Sequence, residues 1–203
     1  DEARKVQDPV ATGKIARQQA TTESGGDLVM NETGSWSYTL LTDPGSPSTL
    51  AETHRICLQF SLAASANNPC VDFVPEDLVN SAIGEAASSL DDNFYQSYDS
   101  RQIVATTTCN SCHEDLALHG GGGTDWDYCA TCHNPGSTDA NSENSVVFSV
   151  LAHRIHRGSS LPGVEDGTPY SIWGFRNSEH DYSHVIYPGV INNCARCPAG
   201  PGD

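Results

Sequence analysis

Positive charge is scarce in this chain of 203 residues. Ten Lys and Arg stand against 26 Asp and Glu, a formal net charge of -16. Such a surface repels phosphate, which argues against nucleic acid as a partner. The plain reading is a solvated, non-sticky surface, and the sharper one is a basic partner or bound cations. Long apolar runs are also missing. The longest, VVFSVLA at 146–152, is far below the ~20 residues a membrane-spanning helix needs, so no transmembrane segment is expected. Methionine occurs once, at Met30, and hydrophobic residues make up 37%, so any core is thin. The chain opens on Asp1 rather than Met, which suggests an upstream segment removed on export.

What is present instead is Gly and Pro, Cys and His. Gly (18) and Pro (11) point to many turns and few long elements. Of the eight cysteines, six form three Cys-x-x-Cys pairs, while Cys57 and Cys70 stand apart. Such grouping points to ligation or covalent attachment rather than to scattered core thiols. Cys57 and Cys70 flank strand-like stretches, and in an exported protein they are disulfide candidates, with two buried free thiols as the bland alternative.

Three segments are expected along the chain: an N-terminal arm (1–30), a β domain with its linker (31–100) and a cysteine- and histidine-rich domain (101–203). VATGKIARQQA suggests a short helix. SWSYTLLTD and CVDFVP read as strands. THRICLQFSLA reads as one half-buried strand with Ile56, Leu58, Phe60 and Leu62 on one face. The linker EDLVNSAIGEAASSLDDNF has room for a helical turn or two. Past residue 101 regular periodicity fades, and HGGGGTD is a loop. SENSVVFSVLAHRIHRG predicts a helix capped by Ser142 or Asn144 and ended by Gly158. Residues 159–193 read mostly as loop. So polar a segment needs something to fold around, and a large apolar cofactor would supply it.

Two of the cysteine pairs continue into histidine: CNSCH at 109–113 and CATCH at 129–133. Two thiols at this spacing can each add to a haem vinyl group, and the next His then ligates the iron from below the ring. Haem c attached at Cys109 and Cys112 and at Cys129 and Cys132 is therefore expected, with His113 and His133 as proximal ligands. The competing reading is a zinc ribbon, since 16 residues separate Cys112 from Cys129. It leaves both histidines and the third pair unexplained. A thioredoxin-like pair lacks its βαβ surroundings. Sixth ligands in electron-transfer haems are His or Met, and one distant Met30 cannot serve two irons. Beyond His54, the remaining histidines His119, His153, His156, His180 and His184 lie in the cysteine-rich half. His153 and His156 share a face of the predicted helix. His119 precedes a glycine run where backbone can approach a porphyrin. Bis-His ligation leaves no open iron position and favours low potentials, hence electron transfer rather than bond chemistry.

The stretch RQIVATTTCNSCHEDLALHGGGGTDWDYCATCHNPGSTD, continued by LAHRIHRG and HDYSHVIYPGVINNCARC, resembles a haem module of the outer-membrane decahaem c-type cytochromes of OmcA/MtrC type. THRICLQFS and NNPCVDFVPED resemble the last strands of that family's split β-barrel domain. The resemblance covers roughly residues 33–197. It implies a small β domain of split-barrel, Greek-key kind before a mostly irregular multihaem domain with short helices. It also implies His113 and His133 as proximal ligands, and His119, His153, His156 and His184 as distal ones, His180 being the weaker candidate. The implied setting is extracellular or at the outer-membrane surface, with the periplasm as the alternative. The implied acceptors are minerals, flavins or other cytochromes.

Two departures stand out. Family modules carry five haems, and this chain has three Cys-x-x-Cys pairs. The third, CARCP, has Pro198 where the family has His. Either Cys194 and Cys197 hold a third haem ligated from elsewhere, or they are free or disulfide-bonded, or the sequence near its end is incomplete. A third haem without its proximal His keeps a haem reductase as an alternative function. Two or three haems make a short wire, so partners are expected to be other cytochromes or copies of this chain, up to a filament. Calcium bridging propionates or Asp clusters is a further cofactor candidate.

Overall fold

In the computed structural model the described residues are 22–41, 53–62, 65–73 and 104–196. They fall into two contact units. One takes in residues 59–62, 65–69 and 104–196, and the other 22–41, 53–58 and 70–73. The helix expected at VATGKIARQQA and the linker after Phe73 lie outside the described residues. No described helix is long and apolar enough to cross a membrane.

The smaller unit is built from hairpin-like pairs. Strand β1 (Asp27–Met30) runs antiparallel to β2 (Trp36–Thr39), with Met30 opposite Trp36. The NETG turn closes on itself: Gly34 N donates to Asn31 O and sits at φ 80°, where a side chain would be strained. Asn31 Nδ2 donates to Ser35 Oγ and Ser37 Oγ. Strand β3 (His54–Cys57) pairs with β6 (Cys70–Phe73). Arg55 and Asp72 are cross-strand partners and form a two-pronged ion pair at 2.6 and 2.7 Å. Two residues along, on the same face, Cys57 and Cys70 are opposite each other and disulfide-bonded. The other face sets His54 against Phe73.

The expected single strand over THRICLQFSLA is two. Strand β3 ends at Cys57, and β4 (Phe60–Leu62) turns back to pair with β5 (Ser65–Asn67). Leu58 and Phe60 are exposed rather than half-buried. The reason lies in the partners. Gln59 accepts from Tyr128 OH, and buried Asn68 accepts from both Thr124 N and Thr124 Oγ1. The β4–β5 hairpin thereby belongs with the larger unit.

In that unit α1 (Thr106–His113), α2 (Trp126–Cys132) and α3 (Phe148–Arg157) are short and separated by loops. Asp125 caps α2 through its bond from Asp127 N. It also accepts from Thr106 Oγ1, which in turn accepts from Trp126 N. The first turns of α1 and α2 are thus tied by one carboxylate and one hydroxyl. Helix α3 starts later than expected. Val147 is its N-cap, without a side-chain cap bond, because Ser142 and Asn144 are engaged elsewhere. Its end is as expected: Gly158 follows at φ 40°, and Arg154, His156 and Arg157 occupy the last turn, where cations suit the helix dipole. Beyond it come the one-turn α4 (Pro162–Glu165), which begins with proline, and the hairpin β7 (Ser171–Trp173) with β8 (Glu179–Asp181).

Apolar burial is slight. Among the described residues of this unit only Cys129 and Tyr170 are buried apolar side chains. Polar contacts do the joining. Asp139, 4% exposed, accepts from Asn141 N, Ser142 N and Ser142 Oγ through one oxygen and from Trp173 N through the other. Asn144 donates to Ser171 O and accepts from Arg154, whose guanidinium lies 5.0 Å over the Tyr170 ring.

Two consequences for stability are measurable. Replacing Cys57 and Cys70 by Ser removes a cross-link over 13 residues. It is expected to cost about 3 kcal/mol, read as a lower urea midpoint by far-UV circular dichroism. Asp139→Ala strands its buried donors, with an expected loss of roughly 3 kcal/mol by the same measurement, and Asp139→Asn loses less.

Candidate haem centres

The helices α1 and α2 each carry a complete attachment motif. In α1, Cys109 and Cys112 are one turn apart and His113 is the last helical residue. In α2, Cys129 and Cys132 are likewise one turn apart, and His133 forms the C-cap with its N–H bonded to Cys129 O. The first cysteine of each pair faces inward and the second is exposed. Cys129 Sγ lies 3.0 Å from Asp125 O, and Cys109 Sγ 3.8 Å from Ala105 O. Asn110, one of the variable motif positions, accepts from Leu116 N and bends the chain back after His113.

That bend leads to the glycine loop. Leu118 and Gly123 bridge, and His119, Gly120 and Gly121 between them all have positive φ, at 51°, 74° and 88°. Open space surrounds both glycines, so it is the backbone angle that favours glycine there, not close approach of a neighbour. The turn swings His119 away from its own motif and onto the second one. The rings of His119 and His133 have centroids 5.9 Å apart and are inclined by 29°. From the far side of the sequence, α3 brings His156 to His113, again with centroids 5.9 Å apart, inclined by 70°. Each motif histidine thus meets a histidine from outside its own motif.

The spacing tests what can sit between them. A metal–imidazole nitrogen bond is about 2 Å, so two rings bound to one ion from opposite sides have centroids roughly 6 Å apart. Both pairs fit a bis-His haem iron. The other ring nitrogens are turned to carbonyls: His133 Nδ1 to Val146 O at 2.8 Å and His156 Nδ1 to Ala152 O at 2.7 Å. Such bonds fix the ring and leave Nε2 for a metal. Burial holds His133 below the usual histidine range, which keeps it in the neutral form that ligates.

The remaining candidates are placed apart from these pairs. His153 is exposed and its Nδ1 faces Ser149 O one turn back. His153 and His156 do not share an environment, despite their spacing. His180, on β8, contacts Ser178 Oγ through Nε2. His184 is exposed, beside Asp181. Cys194 is exposed in a 3-10 turn (Cys194–Arg196), while Cys197 and Pro198 lie outside the described residues. Met30 is exposed on β1 in the other unit. Among the described residues no three His, Cys, Asp or Glu side chains gather as a metal-holding group, as a preassembled zinc ribbon would require. The helical form of both motifs was not anticipated. Its one local signal is the Asp125 cap.

The four motif thiols are not alike. Bonds from Ser111 and Arg196 hold Cys112 below the ordinary cysteine value, whereas burial, helped by Asp125, pushes Cys129 up to about 11. At pH 8 this gives Cys112 the larger thiolate fraction, offset in part by the greater nucleophilicity of the more basic thiolate. Before any covalent attachment, Cys112 is expected to alkylate at least roughly 10-fold faster than Cys129, measured by peptide mass spectrometry after iodoacetamide.

Residues 101–201 match the family of outer membrane cytochromes of MtrC/MtrF type, domains II/IV. A stretch of 68 residues is 47% identical to the multiheme cytochrome MtrC of Shewanella baltica (strain OS185), covering 32% of this chain and 10% of that protein. The crystal structure of the outer membrane decaheme cytochrome OmcA is similar over 85% of this chain and 26% of that one, with a TM-score of 0.65 and 28% identity. The chain thus spans about a quarter of the OmcA structure and a tenth of the MtrC sequence. The small sheets and few short helices fit that class of domain. By its 101–201 segment, which holds both CxxCH helices and both imidazole pairs, the chain is a member of the MtrC/MtrF-like outer-membrane multihaem cytochrome family.

Proposed function

We propose that the chain is an electron-transfer protein with closely spaced bis-His c-type haems, working at the outer-membrane surface or outside the cell. One haem would be held by Cys109 and Cys112, with His113 and His156 as its iron ligands. The other would be held by Cys129 and Cys132, with His133 and His119. The observation that carries this reading is the paired geometry: two separate His–His pairs at metal-bridging distance, each with one member from a CxxCH motif.

When bound, each haem supplies a one-electron iron couple. The chain's own residues set its surroundings. Val146 O and Ala152 O orient the two buried-side imidazoles. Imidazole on both faces leaves no iron position for a substrate, which favours electron transfer over a reductase. The Thr106–Asp125 tie keeps the two attachment helices adjacent, as a relay requires. Cys194 and Cys197 are read as a third attachment site, with His153, His184 and the weaker candidate His180 left to serve it. Residues 31–100 are read as the end of a split-barrel β domain. Partners are taken to be other cytochromes or copies of this chain, with minerals or flavins as acceptors.

The test is intact mass of the chain matured with haem, together with a pyridine haemochrome assay. At least two covalent haems are expected, and three where Cys194 and Cys197 carry one. His156→Ala and His119→Ala should each convert one haem from low-spin to high-spin, seen in the visible spectrum. Absence of covalent haem, or a low-spin spectrum unmoved by both substitutions, would overturn the assignment.

A further inference from the structure

The two imidazole pairs have the same separation but not the same orientation. The His119 and His133 rings are inclined by 29°, and the His113 and His156 rings by 70°. Something must hold His156 turned. Its Nδ1 bond to Ala152 O anchors one edge of the ring. A second restraint is Tyr187, whose ring meets His156 edge-on, with centroids 6.0 Å apart and planes at 82°. Edge-to-face contact is a directional aromatic geometry, so it resists rotation of the imidazole about its anchored edge. Among the described residues His119 meets no aromatic ring other than His133.

Tyr187 is itself held in place. Its segment docks on the end of α3 through the bond from Ser159 N to Val185 O at 2.9 Å. Val185 N in turn bonds Tyr182 O, and Tyr182 N bonds the buried Tyr170 O. The dock requires glycine at 158. A Cβ there would stand 2.3 Å from Val185 O and 2.6 Å from Val185 Cβ, and the φ of 40° is strained for any side chain. Gly158 therefore ends α3 and also admits the strap that carries Tyr187.

Ligand-plane orientation matters to a low-spin ferric iron. Each imidazole donates π density into the iron d orbital perpendicular to its own plane. Near-parallel rings raise one d orbital over its partner and give a rhombic resonance. Crossed rings raise both and leave them nearly degenerate, which gives a strongly anisotropic resonance with one large g value.

We propose that Tyr187 is a positioning residue that sets the ring plane of His156, making the His113–His156 iron site a crossed-plane site distinct from the near-parallel His119–His133 site. This rests on the haem assignment given under Proposed function. It adds that the protein distinguishes its two irons by a side chain that touches neither.

Electron paramagnetic resonance of the oxidised, haem-loaded full chain tests it. The wild type should show both a large-g signal and a rhombic one. Tyr187→Leu should move the large-g signal toward the rhombic position and leave the rhombic signal unshifted. Tyr187→Phe should restore the wild-type spectrum, because the ring edge remains. Gly158→Ala, which displaces the strap without altering Tyr187, should reproduce the effect of Tyr187→Leu. Haem stoichiometry by intact mass should be the same in all four proteins. Any signal from Cys194 and Cys197 is common to them and cancels in the difference spectra. A wild type with only one class of low-spin signal overturns the proposal, as does a large-g signal unmoved by both Tyr187→Leu and Gly158→Ala. So does failure of Tyr187→Phe to restore it. Absence of covalent haem or of low-spin iron in the wild type would instead overturn the haem assignment, so the two failures are distinguishable.

Discussion

Among the described residues little apolar side-chain surface is buried, and the elements are joined by polar contacts that water cannot easily replace. In the larger unit these converge on a few carboxylates and amides. Asp125 joins the starts of the two CxxCH helices, Asp139 gathers the loop that follows them onto β7, and Asn68 fastens the β4–β5 hairpin to the approach to α2. A charged or amide acceptor with several donors is worth more than isolated neutral bonds, and more so when shielded. The acidity of the sequence is thus not only a surface property. Some of its carboxylates are structural and inward-facing.

The same economy explains what was legible in the sequence. CNSCH and CATCH announce themselves by chemistry, and they needed no structural context. His119 and His156 could be named as candidates because histidines cluster in the cysteine-rich half, His119 before a glycine run and His156 on a predicted helix. Their pairing could not be named, since a turn of three positive-φ residues sends His119 past its nearest motif to the next one. The helical state of the motifs was hidden for a related reason. TTTCNSCH has no apolar stripe for a period to reveal.

Errors of boundary also have physical causes. Ser142 and Asn144 look like helix caps, but Asp139, Ser171 and Arg154 claim them first. THRICLQFSLA alternates as one strand would, yet the pull of Gln59 and Asn68 toward Tyr128 and Thr124 breaks it in two. Cys57 and Cys70, by contrast, were readable because a disulfide between strands asks only for two cysteines at matched positions, and the β3–β6 register supplies them.

The crossed assignment of histidines has a temporal side. His119 and His133 both lie in the first part of the cysteine-rich segment, so a chain emerging from its N-terminus holds everything for that site once residue 133 is out. His113 comes earlier, but its partner His156 appears 43 positions later (156 − 113). The first motif to emerge is therefore the second site to close. Under the proposed ligation, the residues that would hold a haem at Cys109 and Cys112 are complete only once α3 has formed and brought in His156. Under that ligation the site of the earlier motif would be the later one to be complete, with α3 as its final contribution.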